Sequence, residues 1–368
     1  TSVHWHGLLV PEAADGHPRD AVPSGADYDY EFTVINRAGT YWFHPHPDLR
    51  TGPQVYRGLA GLLIVSDTEE AALPLPRGEF DVPFVIQDRR FDAGNQLLYD
   101  TGDMMSGFLG DRILVNGRPD ATFSAATRVY RFRFLNGSNS RTYKLGWGDG
   151  SPMIVIGSDG GLLPAPAERP YAMLGPGERV EVWADLSHRS IGSELILKSL
   201  AFTAGGMGSG TLPDGAGFDI MRVTVDRPQT ETLTLPATLT PITRYRIEDA
   251  VNSTNPRTFA ISFATGQWLL NGLTFEMNGI TPNEIVQLGD LEVWEFQNTS
   301  GMPMMQMLHP LHVHAVQFQI YERTINASGA GNYATVSGGL VDSGWKDTLI
   351  LMPGERAKVL MRFWPHPG

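Results

Sequence analysis

Short runs that alternate apolar and polar residues, each halted by a turn signal, constrain this chain more than any other feature. Tyr28, Tyr30, Phe32 and Val34 share one face of an extended segment, and Asp27, Asp29, Glu31 and Thr33 share the other. Tyr130, Phe132 and Phe134 alternate with Arg131 and Arg133; Val180, Val182 and Ala184 alternate with Arg179 and Glu181. Val359, Met361 and Phe363 alternate with Lys358 and Arg362. Asn116-Gly117, Asn136-Gly137, Asp159-Gly160-Gly161 and Asn271-Gly272 punctuate the runs. The pattern predicts many half-buried strands, an all-β chain of sandwiches or barrels, with a helical turn only near Thr68–Ala72. With 41 glycines and 26 prolines the chain carries too much turn chemistry for a helix bundle. Hydrophobic residues make up 42%, enough to build sizeable cores. No apolar run approaches the roughly 18 residues of a membrane span.

An internal repeat divides the 368 residues. Pro176-Gly177-Glu178-Arg179 opens one expected strand, Pro353-Gly354-Glu355-Arg356 opens another, and Pro23-Ser24-Gly25 precedes the run at Tyr28. Three related sandwiches are therefore expected, over 1–75, 80–228 and 240–368. Leu73-Pro74-Leu75-Pro76 and the stretch from Pro228 through Pro236 to Pro241 mark the joins.

The formal charge is −12, which argues against nucleic acid as a partner because phosphate contacts need a basic face. Cysteine is absent, so disulfides, thiolate metal sites and thiol nucleophiles are excluded within this chain. Thr1-Ser2-Val3-His4 shows no basic stretch followed by an apolar core, so no signal peptide is visible.

Seven of the ten histidines sit in three clusters: His4-Trp5-His6-Gly7, His44-Pro45-His46, and His309-Pro310-Leu311-His312-Val313-His314. Random placement would give about 0.3 His-x-His pairs, against the three present. Residues i and i+2 of a strand point to one side, so each pair presents two imidazoles together. Imidazole ligates Zn, Cu, Fe and Ni, and six imidazoles exceed the need of one tetrahedral zinc. A multinuclear centre bridging the first and third units is expected, with none of its ligands from the middle unit. The isolated His17, His188 and His366 read as ordinary loop or surface residues.

The segments His4–Gly7, Trp42–His46 and His309–His314 resemble the first three copper signatures of the multicopper oxidases. Gly58–Val65, Ser158–Leu163 and Gly344–Thr348 extend the resemblance to the three-domain bacterial laccase and cuprous-oxidase branch. It implies three cupredoxin-like Greek-key sandwiches and four coppers in a complete chain: one type 1, one type 2 and a binuclear type 3 pair. His4 and His312 would hold type 2 copper, and His6, His44, His46 and His314 four of the six type 3 positions. His309 would hold type 1 copper. Asp15, nine residues after His6, matches a family carboxylate near the cluster, where it would orient or deprotonate bound water; otherwise it is a turn residue in Asp15-Gly16. Four one-electron oxidations of a phenolic or aromatic donor, or of cuprous ion, would be coupled to reduction of dioxygen to water. The resemblance also implies a periplasmic or secreted protein.

The fourth family signature, His-Cys-His, is missing. The repeat aligns Gly25 with Gly354 and Gly39 with Gly368, and the same offset of 329 carries His44 to position 373. The signature is therefore expected just past Gly368, and the opening strands of the first unit before Thr1. Met302, Met304, Met305 and Met307 lead into His309 and would form a Cu(I) entry, an apolar wall for aromatic donors, or plain packing. Met104-Met105 is a weaker candidate for the same place. The alternatives to an oxidase are a copper-free cupredoxin scaffold used for assembly, and a copper-sequestering protein without turnover. A two-domain nitrite reductase fits poorly because a histidine-poor unit separates the clusters.

Overall fold

The structure is a computed structural model that describes residues 1–99, 107–206, 210–299, 301 and 306–367. It is an all-β fold of several sheets; the longest helix among the described residues is the six-residue Thr51–Tyr56. Thr68–Ala71 is a short helix, capped by the Asp67 carboxylate accepting from the Glu70 amide.

A seven-stranded and a five-stranded sheet, spanning Asp81 to Arg227, enclose the largest core. Phe132, Phe134, Val155, Val182, Leu197 and Val223 are completely buried in it. Two parallel ladders run through this pair of sheets, Asp81–Arg89 with Val129–Asn136 and Ala121–Ala126 with Phe218–Arg227. A tight hairpin cannot make a parallel pair, so the chain crosses between strands. Arg257–Ala264 runs parallel to Leu291–Gln297 in the same manner, beside a second core of Phe259, Phe296, Phe318, Leu349 and Val359. Asn116 and Gly117, with φ of 49° and 76°, make the left-handed turn between the paired strands Arg112–Val115 and Arg118–Pro119.

The repeat is a local device. In both copies the glutamate accepts from a backbone amide three residues earlier, Glu178 from Gly175 and Glu355 from Met352. Each copy then enters a strand, Arg179–Asp185 or Glu355–Arg362.

Two expectations need correction. Within Tyr28–Val34 only Tyr30 and Phe32 turn inward, packed near Trp5, while Tyr28 and Val34 are exposed, and the segment forms no ladder. A period-two pattern reports which side is apolar; a strand also needs a neighbour to bond. Second, the polar face of Val129–Asn136 is not solvated. Arg131 and Arg133 are buried against the first unit, bonded to Glu181, Glu70, Asp81 and Thr40. Both faces of this strand are interior.

Burial alone would raise the Glu181 carboxyl, but Arg131 and Arg133 carry it down to about 2. A depressed carboxyl stabilises the fold above its unfolded value of 4.5, and that stabilisation disappears as pH falls toward 2. The expected loss is about 3 kcal/mol from this one group. Urea titrations at successive pH values should show it in the parent chain, and Glu181→Gln should be weaker at neutral pH but flatter in acid.

Candidate metal centre

Strand pairing assembles the histidines. Val3–His4 pairs antiparallel with Gly39–Pro45, setting His4 opposite His44. His309–His312 pairs with Thr348–Leu351, setting His312 opposite Thr348. His6, His46 and His314 lie just beyond their strand ends, so only one member of each His-x-His pair is in a ladder. The six rings nevertheless converge. His4 stacks on His314 at 3.8 Å between centroids and His6 on His312 at 3.6 Å. His44 lies 5.2 Å from His4, and His46 lies 5.1 Å from His314. Residues about 300 positions apart thus share one site. Trp42 closes one side, 4.9 Å from His6 and 4.4 Å from His44.

Hydrogen bonds fix which nitrogen of each ring carries its proton. His4 Nδ1 donates to the Asp15 carbonyl (2.9 Å) and lies 3.1 Å from the Asp15 carboxylate. His312 Nδ1 donates to the Asp347 carbonyl at 2.8 Å. Both partners only accept, so each neutral ring has a bare Nε2. Those two bare atoms face each other at 3.2 Å. His44 Nδ1 donates to the Pro45 carbonyl, leaving its Nε2 bare. His6 does the reverse. Its Nε2 meets the Asp347 carboxylate (3.2 Å) and the Thr348 hydroxyl (3.0 Å), so its bare Nδ1 faces His44 Nε2 at 3.4 Å. His314 Nδ1 donates to the other Asp15 oxygen at 2.8 Å.

Inward lone pairs at such distances repel unless a cation lies among them. Burial, reinforced by neighbouring basic groups, holds His6, His44 and His312 well below the ordinary imidazole value, and His46 near 4. Neutral imidazole is the ligating form, so the donor set fits divalent copper. His4, His6 and His312 bring nitrogens within 4.8 Å of one another, as do His4 and His314 with the Asp15 carboxylate.

Asp15 lies in a turn and beside the rings. Gly16 follows at φ 79°, where a Cβ would lie 2.2 Å from the Val3 carbonyl, and the carboxylate spans two rings. Hydrogen bonds from His314 and His4 outweigh burial and keep that carboxyl well below its usual range. His309 stands apart. Three residues before His312 it takes the other strand face, its ring 4.3 Å from Trp268 and its Nε2 buried without a partner. His188 and His366 are exposed, and His17 accepts from the Arg19 amide in a short turn. Of the methionines before His309 only Met307 is described; Met302, Met304, Met305, Met104 and Met105 lie outside the described residues.

Three residues at the site escaped sequence reasoning in this role: Asp347, Thr348 and Arg179. Burial outweighs neither Arg179 nor the other partners of Asp347, so its carboxyl stays ionised. A charged pair, Lys346-Asp347, just before the apolar run Leu349–Met352 was the available signal.

The sequence model of the multicopper oxidase family matches residues 1–70, and a second of the same description matches residues 240–368. A laccase of Bacillus stratosphericus is 32% identical across all of this chain and 76% of its own length. The cell division protein FtsP of Xenorhabdus nematophila is 31% identical over 96% of this chain and 70% of its own. The solved multicopper oxidase McoA of the hyperthermophile Aquifex aeolicus superposes with a TM-score of 0.83 at 33% identity, covering all of this chain and 78% of that one. The chain belongs to the multicopper oxidase family, copper-dependent oxidoreductases with oxygen as acceptor.

Proposed function

We propose that this chain is the scaffold of a laccase-like oxidase, with the six converging histidines as its dioxygen-reducing copper centre. The observation that carries the reading is the two facing pairs of inward bare nitrogens, His4 Nε2 against His312 Nε2 and His6 Nδ1 against His44 Nε2. His4 and His312 would hold the type 2 copper, and His6, His44, His46 and His314 the type 3 pair. His309 would serve the type 1 copper. The units 1–75, 80–228 and 240–368 would be three cupredoxin-like sandwiches, with the centre between the outer two.

Bound copper supplies the one-electron chemistry and the affinity for dioxygen. The chain supplies the rest. Asp15 holds His4 through its carbonyl and His314 through its carboxylate, keeping both rings in the ligating tautomer. Trp42 excludes water from one flank. The donor is a phenolic or aromatic compound or cuprous ion, and the setting is periplasmic or extracellular. No described helix is long and apolar enough to cross a membrane.

Copper titration followed by oxygen uptake tests the reading: copper-dependent uptake with a phenol or with Cu(I) is expected where the His-Cys-His segment is present, and copper binding with little turnover where it is absent. A copper-free assembly scaffold is the second reading, favoured by the relative named for cell division, and it predicts no metal uptake. Replacing Met304, Met305 and Met307 together separates the donors. Selective loss of Cu(I) oxidation identifies a metal entry, and equal loss for both donors removes that assignment.

A further inference from the structure

We propose that Arg179, from the unit that supplies no histidine to the centre, is a positioning residue that sets the direction of the His6 ring. This inference rests on the reading of the six histidines as a copper centre.

Arg179 is completely buried, and every N–H of its guanidinium is used. Nε donates to the Thr40 carbonyl (2.9 Å). Nη1 donates to the Gly177 carbonyl (2.9 Å) and to Asp347 Oδ1 (2.8 Å). Nη2 donates to the Asp159 carbonyl (2.9 Å) and to Asp347 Oδ2 (2.6 Å). One side chain therefore ties segments of all three units together. Its two-pronged grip leaves the Asp347 carboxylate a single orientation. Held so, that carboxylate lies 3.2 Å from His6 Nε2 and accepts from the Thr348 hydroxyl at 2.9 Å. Thr348 is itself 3.0 Å from His6 Nε2. His6 must then carry its proton on Nε2 and turn Nδ1 inward, the reverse of its neighbours.

Two further observations separate this role from packing. In the second copy of the repeat the matching arginine, Arg356, is exposed, so the turn itself does not require a buried arginine. Gly7 sits at φ 87° directly over the pair, where a Cβ would come within 2.4 Å of Asp347 Oδ2 and 2.7 Å of Arg179 Nη2. The glycine after His-Trp-His makes room for this ion pair.

The test compares the copper-loaded parent chain with Arg179→Lys, Asp347→Asn and, as a control, Arg131→Lys at the other buried interface. Lysine keeps the charge and loses the fork. Asparagine keeps the shape of Asp347 and removes the charge that fixes the His6 proton. Copper retention against a chelator and the hyperfine pattern of the bound Cu(II) are read beside the melting temperature. Arg179→Lys and Asp347→Asn are expected to release copper about 10–100-fold more readily, with altered hyperfine splitting. Arg131→Lys should lower the melting temperature while leaving both copper readouts at parent values. Parent-like copper signatures in Arg179→Lys and Asp347→Asn, with only thermal stability lost, would overturn the proposal and leave Arg179 as a structural clamp. If Arg179→Lys does not fold, Asp347→Asn decides alone. A parent chain that binds no copper at the six rings overturns the reading of the centre itself, a result distinct from unchanged variants.

Discussion

A His312→Ala chain is expected to lose its central copper and, with it, oxygen uptake. His312 faces His4 across 3.2 Å and stacks on His6 at 3.6 Å, so its removal opens the middle of the ring cluster. Loss of residues that merely orient a ligand costs about 10–100-fold in metal affinity, and loss of the ligand should exceed that. The fold should survive, because His312 sits at the end of the short ladder His309–His312 and its own ring belongs to neither main core, while its neighbours Leu311 and Val313 still pack on the second. Copper per chain after dialysis, with circular dichroism as a folding check, measures the effect. His309→Ala provides the contrast. Its ring lies on the opposite strand face against Trp268, so the six-ring centre should keep its copper while donor oxidation falls. Equal copper loss in both variants would mean that the two sites are not separate.

Arg131→Met is expected to cost about 3–5 kcal/mol of stability. Arg131 is fully buried, with Nε and Nη2 both on Glu181 Oε2 and Nη1 on Glu70. Methionine fills similar space but strands two buried carboxylates. Glu181 keeps only Arg133 and Thr40 as partners, and Glu70 keeps Arg77. The chain should unfold at lower urea, and more so as pH rises from 4 to 7, because the buried Glu181 carboxyl must then ionise with one counter-charge fewer. Adding Glu181→Gln and Glu70→Gln should return much of the loss, since the uncompensated charges are gone. A single-variant cost below about 1 kcal/mol would class the pair with exposed ion pairs, and the interface would not be dry.

The sequence disclosed the centre more fully than the fold around it. Three His-x-His pairs announce themselves because spacing of two has a direct geometric meaning, and the rings converge. The alternating strands at Tyr130–Phe134 and Val180–Ala184 were equally legible in their apolar faces. Their other faces were not. Arg131, Arg133 and Glu181 have the composition of a solvated stripe, and only the docking of a second unit turns it into a buried ion network. Arg179 is hidden in the same way, a turn element in a repeat whose second arginine, Arg356, is exposed. Tyr28–Val34 shows the opposite failure, an alternation whose bonding neighbour is absent from the described residues. Local pattern carries periodicity; it carries nothing about which surface comes to cover a face.

The most direct test is copper anomalous diffraction from crystals of the copper-loaded chain. The account predicts peaks inside the ring cluster, one of them between His4 Nε2 and His312 Nε2 and another beside His6 Nδ1 and His44 Nε2. Peaks confined to the exposed histidines, His188 and His366, with the cluster empty at saturating copper, would contradict it.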